Sequence, residues 1–230
     1  MISHKHKTIF VHIPKVAGQS IESMFLNDLN LNWNQRAELL LRKKKVNERG
    51  PFRLAHLKAH EYVHLNYIDP IKFNSYFKFS FVRNPYSRAY SYYKYLGYSE
   101  IISFNTFISE VLTKKVKQNH FFFIPQTDYL YYEDKLLVDF VGKFEELNQD
   151  IKTVISNANL SIHELPFVNK SKNDKKRAIS KLAKNPKFLL KLKMNNHIFK
   201  DYREAYDKAS LELIKNIYKD DIDKFQYEFE

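Results

Sequence analysis

An α/β fold with a central, mostly parallel sheet flanked by helices is what two stretches of this sequence predict, because each runs from strand through tight loop to helix. In the first, Thr8 to Ile21, β-branched and aromatic residues fill most of positions 8 to 13, and Pro14 ends the run. That composition over so few residues suits a buried strand. In the second, Phe77, Phe79 and Phe81 alternate, Arg83 stands at the strand end, and Asn84-Pro85 supplies a cap and a first helical position. Size is the third observation. A chain of 230 residues with 44% hydrophobic content suits one domain, or one with an insertion, and is ample for a core.

The first loop is built for an anion. Ala17 and Gly18 are small enough for close backbone approach, and Ser20 is placed to cap a helix that Ile21, Phe25 and Leu29 continue on one face. A strand feeding a helix N-terminus offers backbone N–H groups and a favourable dipole end, and Lys15 adds a full charge. The order differs from the G-x-x-x-x-G-K-[ST] phosphate loop, since Lys15 precedes the Gly. The plainer alternative is an ordinary turn with a solvated lysine.

Composition bounds the setting. The chain has no cysteine, which excludes a disulfide framework and thiolate metal sites. No apolar signal segment precedes the first strand, and no run nears the roughly 18 residues of a membrane span, so a cytoplasmic protein is expected. A net charge of +12 favours an anionic cofactor, substrate or surface.

Between and after the two stretches, the pattern predicts helices over Asn32–Lys45, Phe104–Val116, Glu145–Asn157 and Tyr202–Lys219, and a strand over Leu136–Val141. His56, His60 and His64 would lie along one side of a regular helix. His60-Glu61-Tyr62-Val63-His64 spells a zinc-protease pattern, but Asp69-Pro70 cuts the helix too short for that chemistry, and no metal is expected. Residues 170 to 200 carry eleven Lys or Arg against one Asp, which reads either as an arm over an anionic acceptor or as a solvated helix face.

In an open α/β sheet ligands sit at the carboxyl ends of strands, so the ends bearing Lys15 and Arg83 could share one ligand. Arg83 can grip a phosphate with its planar fork, and Ser91, about two turns into the helix, can add a hydroxyl. A structural salt bridge for Arg83 and a packed small residue for Ser91 are the alternatives.

Together, Phe10-Val11-His12-Ile13-Pro14-Lys15-x-Ala17-Gly18-x-Ser20 and Phe79-x-Phe81-Val82-Arg83-Asn84-Pro85-Tyr86-x-Arg88-x-x-Ser91-x-Tyr93 resemble the two cofactor motifs of the carbohydrate sulfotransferases that use 3′-phosphoadenosine 5′-phosphosulfate (PAPS), the group that includes heparan 2-O-sulfotransferases. Later stretches resemble the family's further landmarks in order: Gln126-Thr127-Asp128-Tyr129-Leu130, Val138 to Leu147, Leu165 to Ser171, and Tyr218 to Phe229.

The resemblance implies a three-layer, P-loop-like fold in one sulfotransferase domain over residues 1–230, with a basic helical insertion at about 172–198. It implies that Lys15, Ala17, Gly18, Gln19 and Ser20 hold the 5′-phosphosulfate, and that Arg83 and Ser91 hold the 3′-phosphate. Lys170 and Ser171 fall where the family has a loop closing over the nucleotide. Val16 and Gln19 stand where Thr is common in the family.

The implied reaction is sulfuryl transfer to a hydroxyl of a carbohydrate or glycan, leaving adenosine 3′,5′-bisphosphate, with Lys15 facing the leaving phosphate. A general base is useful there, and His56 matches the family's histidine best, with His60 the runner-up and His64 and His12 behind. A basic nucleotide- or nucleic-acid-binding protein without transfer activity is the competing class. Interleaved Tyr92-Tyr93-Lys94-Tyr95 could stack bases, but no recognised nucleic-acid module is present.

Overall fold

The two best-marked strands pair with each other. In the computed structural model, which describes residues 1–166, 175–191 and 198–229, β1 (Ile2–Ser3) runs antiparallel to β2 (Thr8–Phe10), and β2 runs parallel to β3 (Phe77–Val82). A separate hairpin of β4 (Tyr131–Tyr132) and β5 (Lys135–Leu136) precedes β6 (Phe140–Lys143), which returns parallel to β3. The main sheet has the order β1-β2-β3-β6 and is flanked by helices, the mostly parallel α/β arrangement expected. Register places Phe81 opposite Gly142. A Cβ at Gly142 would stand 2.5 Å from the Phe81 ring, so the glycine is what lets that ring lie across β6.

The chain groups into two compact units, Met1–Arg83 with Gln126–Val168, and Asn84–Pro125 with Asn169–Glu230. The first holds the sheet and a core in which Phe10 stacks on Phe79 at 4.9 Å and Phe25 follows at 6.1 Å. Helix Gly18–Asp28 covers it with Ile21, Met24 and Phe25, all fully buried.

The second unit is aromatic. Tyr90, Tyr93, Phe104 and Phe107 meet largely edge-on or tilted, geometry worth about 0.5–1.5 kcal/mol per pair beyond burial. Arg88 is 1% exposed in this core, 3.8 Å from the equally buried Asp221, and lies over the rings of Tyr92 and Tyr218. Helix Pro85–Tyr95 starts as the sequence predicts, with the Asn84 side chain accepting from the Tyr86 N–H.

Several elements depart from expectation. Strand β2 stops at Phe10, and the next two carbonyls, of Val11 and His12, accept from the side chains of Ser80 and His56 instead of a neighbouring strand. Residues 32–45 form a short 3₁₀ helix, Trp33–Leu39, which Leu40 ends in the left-handed region at φ 63°. The basic stretch after it pairs with residues 52–54 through the Lys44 N–H to the Phe52 carbonyl and the Leu54 N–H to the Arg42 carbonyl. His56, His60 and His64 do not share a helix, since extended Leu57 separates Leu54–His56 from Glu61–His64.

Ser103 caps Phe104–Thr106, but a π-helical turn, Phe107–Leu112, interrupts the continuation to Lys117. The strand expected at 136–141 is split between β5 and β6. The expected final helix breaks at Asp207, whose side chain accepts from the Ser210 N–H and starts Lys208–Ile217; a further helix, Lys219–Phe225, follows. Within the basic stretch at about 172–198, residues Lys175–Lys184 and Pro186–Lys191 are helical. No helix among the described residues is long and apolar enough to cross a membrane.

Candidate functional site

Pro14 to Gly18 follow β2 as a loop with two left-handed residues, Lys15 at φ 76° and Ala17 at φ 63°. For residues other than glycine, each such position costs about 1–3 kcal/mol, so the surrounding packing must enforce it. Ala17 is the N-cap of helix Gly18–Asp28, and no side chain caps it. Ser20 is therefore not the cap the sequence suggested. It lies buried in the first turn, where its N–H bonds the Ala17 carbonyl. Gln19 is exposed at the same end. A helix start without a side-chain cap or an acidic residue in its first turn, beside a lysine, suits an anion.

Gly18 is required by its neighbour. A Cβ there would stand 1.9 Å from His12 Nε2, so the imidazole lies directly against the loop. That ring is fixed by three contacts: Nδ1–H donates to Glu22 Oε1 at 2.6 Å, one face stacks on Phe10 at 5.2 Å, and His56 lies 4.5 Å away. Glu22 is 4% exposed, one turn inside the helix, and is paired with His12.

His56 is brought to the same place by the turn Leu54–His56. Its Nδ1–H donates to the His12 carbonyl at 2.8 Å, which fixes the tautomer and puts the lone pair on Nε2. Burial, and then the charge of His12, push its pKa well below 6.5, so the ring is neutral in the neutral pH range. A neutral imidazole of fixed tautomer can accept a proton.

Arg83 is one residue past the end of β3. Its guanidinium lies over the Phe144 ring at 4.1 Å, and Nη1 donates to the Lys15 carbonyl at 3.4 Å. The carboxyl ends of β2, β3 and β6 therefore converge, through Lys15, Arg83 and Phe144, as expected of ligand sites in open parallel sheets. Gln126, fully buried, holds the Arg83 backbone from both sides, accepting from its N–H at 2.9 Å and donating to its carbonyl at 2.8 Å.

Ser91 is half-buried on helix Pro85–Tyr95 in the second unit. His60 and His64 pack on each other and on Tyr132, with ring centroids 4.6–5.4 Å apart. Burial lowers the pKa of His60 as well. Lys170 and Ser171 lie outside the described residues. Glu22, Gln126 and Phe144 are the side chains that sequence reasoning left without a role. Glu22 had one signal, a carboxylate inside the apolar stretch Ile21 to Leu26.

The sequence model of the sulfotransferase family matches residues 1–228. The chain belongs to that family. Sulfuryl transfer is thus its general chemistry, and the convergent loops belong to a sulfotransferase. No curated protein and no solved structure matches the chain.

Proposed function

We propose that this sulfotransferase moves the sulfuryl group of PAPS onto a hydroxyl of a carbohydrate or glycan, and that the loops at Lys15 and Arg83 hold the nucleotide. The carrying observation is Arg83, whose guanidinium reaches the Lys15 carbonyl from the end of the adjacent parallel strand. Two cationic residues at neighbouring strand ends suit a ligand with phosphate at both the 3′ and 5′ positions.

In this reading Lys15 and the first-turn N–H groups of helix Gly18–Asp28 face the 5′ end, with Ala17, Gly18, Gln19 and Ser20 forming the loop. Arg83 faces the 3′-phosphate, while Ser91, Lys170 and Ser171 enter through the family resemblance alone. The S–O bond to the acceptor oxygen forms as the S–O bond to the phosphate breaks. The acceptor proton passes to His56 Nε2, and Lys15 balances the charge left on the departing phosphate. The +12 charge favours an anionic acceptor over a neutral one.

Calorimetric titration with adenosine 3′,5′-bisphosphate tests the nucleotide reading. The wild-type protein binds it, and Arg83→Ala weakens binding by about 10- to 100-fold, the worth of a charged hydrogen-bonded contact. Absence of heat with the wild type overturns the reading. A salt-dependent gel shift tighter than nucleotide binding would favour the nucleic-acid alternative.

A further inference from the structure

We infer that Gln126 is a positioning residue that sets the direction of Arg83 and, through it, the affinity for the 3′-phosphate. This rests on the nucleotide reading above. The ladder between β3 and β6 ends at Val82 opposite Lys143, so Arg83 has left the sheet's register. In place of a neighbouring strand it meets one carboxamide. Gln126 Oε1 accepts from the Arg83 N–H at 2.9 Å and Nε2 donates to the Arg83 carbonyl at 2.8 Å.

A primary amide has the donor and acceptor of a peptide group, so this side chain continues the ladder by one rung where the backbone partner has ended. With N–H and C=O both tied to the same planar group, φ and ψ of Arg83 are fixed and so is its Cα–Cβ direction. The guanidinium can then settle on Phe144 at 4.1 Å with Nη1 toward the Lys15 carbonyl.

Gln126 is 0% exposed, so its effect on a ligand passes through Arg83. The segment that carries it is tied down on its other side. Helix Thr127–Leu130 follows directly, and the Tyr129 carbonyl accepts from the Ala59 N–H at 2.7 Å, three residues beyond His56. One short stretch therefore braces both the arginine and the segment bearing the proposed base.

The test is a double-mutant cycle read by calorimetry with two probes, adenosine 3′,5′-bisphosphate and adenosine 5′-monophosphate. Gln126→Ala should weaken the bisphosphate about tenfold and leave the monophosphate within about twofold, and in an Arg83→Ala background it should cost the bisphosphate less than about twofold more. Gln126→Glu keeps the acceptor for the Arg83 N–H but sets a carboxylate against its carbonyl. It is the second variant should the alanine protein fail to fold, and the same selective loss is expected.

Equal losses for both probes, or a full loss on top of Arg83→Ala, would show a purely structural role and overturn the inference while the nucleotide reading stands. A wild-type protein that binds neither probe overturns the nucleotide reading, and this inference with it.

Discussion

Replacing Gly18 by alanine is the most direct probe of how the loop after β2 is held. The added Cβ would stand 1.9 Å from His12 Nε2, 2.2 Å from Cδ2 and 2.4 Å from Cε1. Relief requires the imidazole to retreat by more than an ångström, yet it is pinned by Glu22 at 2.6 Å and packed between Phe10 and His56. Overpacking alone costs about 1–3 kcal/mol, and losing a charge-assisted bond about 1.5–3 kcal/mol more. At about 2–4 °C per kcal/mol for a chain this size, the midpoint should fall by roughly 5–25 °C.

Thermal melts of wild type, Gly18→Ala, His12→Ala and the double variant measure it. Removing the imidazole empties the space the methyl needs, so Gly18→Ala should cost little in the His12→Ala background, with a coupling above about 1 kcal/mol. If Gly18→Ala melts with the wild type, or costs as much without the imidazole as with it, the steric argument is refuted.

Acid should destabilise the fold through His56. Its folded pKa lies well below the ordinary 6.5, so the unfolded chain binds the extra proton first, and stability falls as pH drops through 6.5 toward the folded value. The slope from this group is at most about 1.4 kcal/mol per pH unit, and melts between pH 7 and 5 should show it shallower in His56→Gln. If His56 is the base, the acid limb of the rate profile also falls below 6.5. In the aromatic unit, Asp221→Asn leaves the Arg88 charge buried without its carboxylate, and should cost about 3–5 kcal/mol in chemical denaturation; a loss below about 1 kcal/mol would show that the pair contributes little.

What the sequence disclosed were signals that act over a few residues. The alternating Phe77, Phe79 and Phe81 and the Asn84-Pro85 start each do locally what their chemistry suggests. Periodicity misled where one residue changed the backbone, as at Leu40, Leu57 and Asp207. The Asp207 break was readable, because Asp with Ser three residues on is a reciprocal cap. The functional surroundings were less legible, because they depend on contacts distant in sequence. Nothing near Gln126 says that it will grip residue 83, and nothing near Arg88, which sits in the same motif as Arg83, says that it will face Asp221 in a core. Two arginines five positions apart thus meet different surroundings, Arg88 buried beside Asp221 and Arg83 half-buried over Phe144.

The pair of bonds between Arg83 and Gln126 also marks where the polypeptide departs from the sheet unit and where it comes back. Everything from Asn84 to Pro125 is a detour whose two ends are knotted at one point, and joining them carries an entropic toll of about 3 kcal/mol. The two bonds between Arg83 and Gln126 can form only once those ends have met. Lengthening an exposed turn inside that detour should slow refolding while barely changing the finished protein.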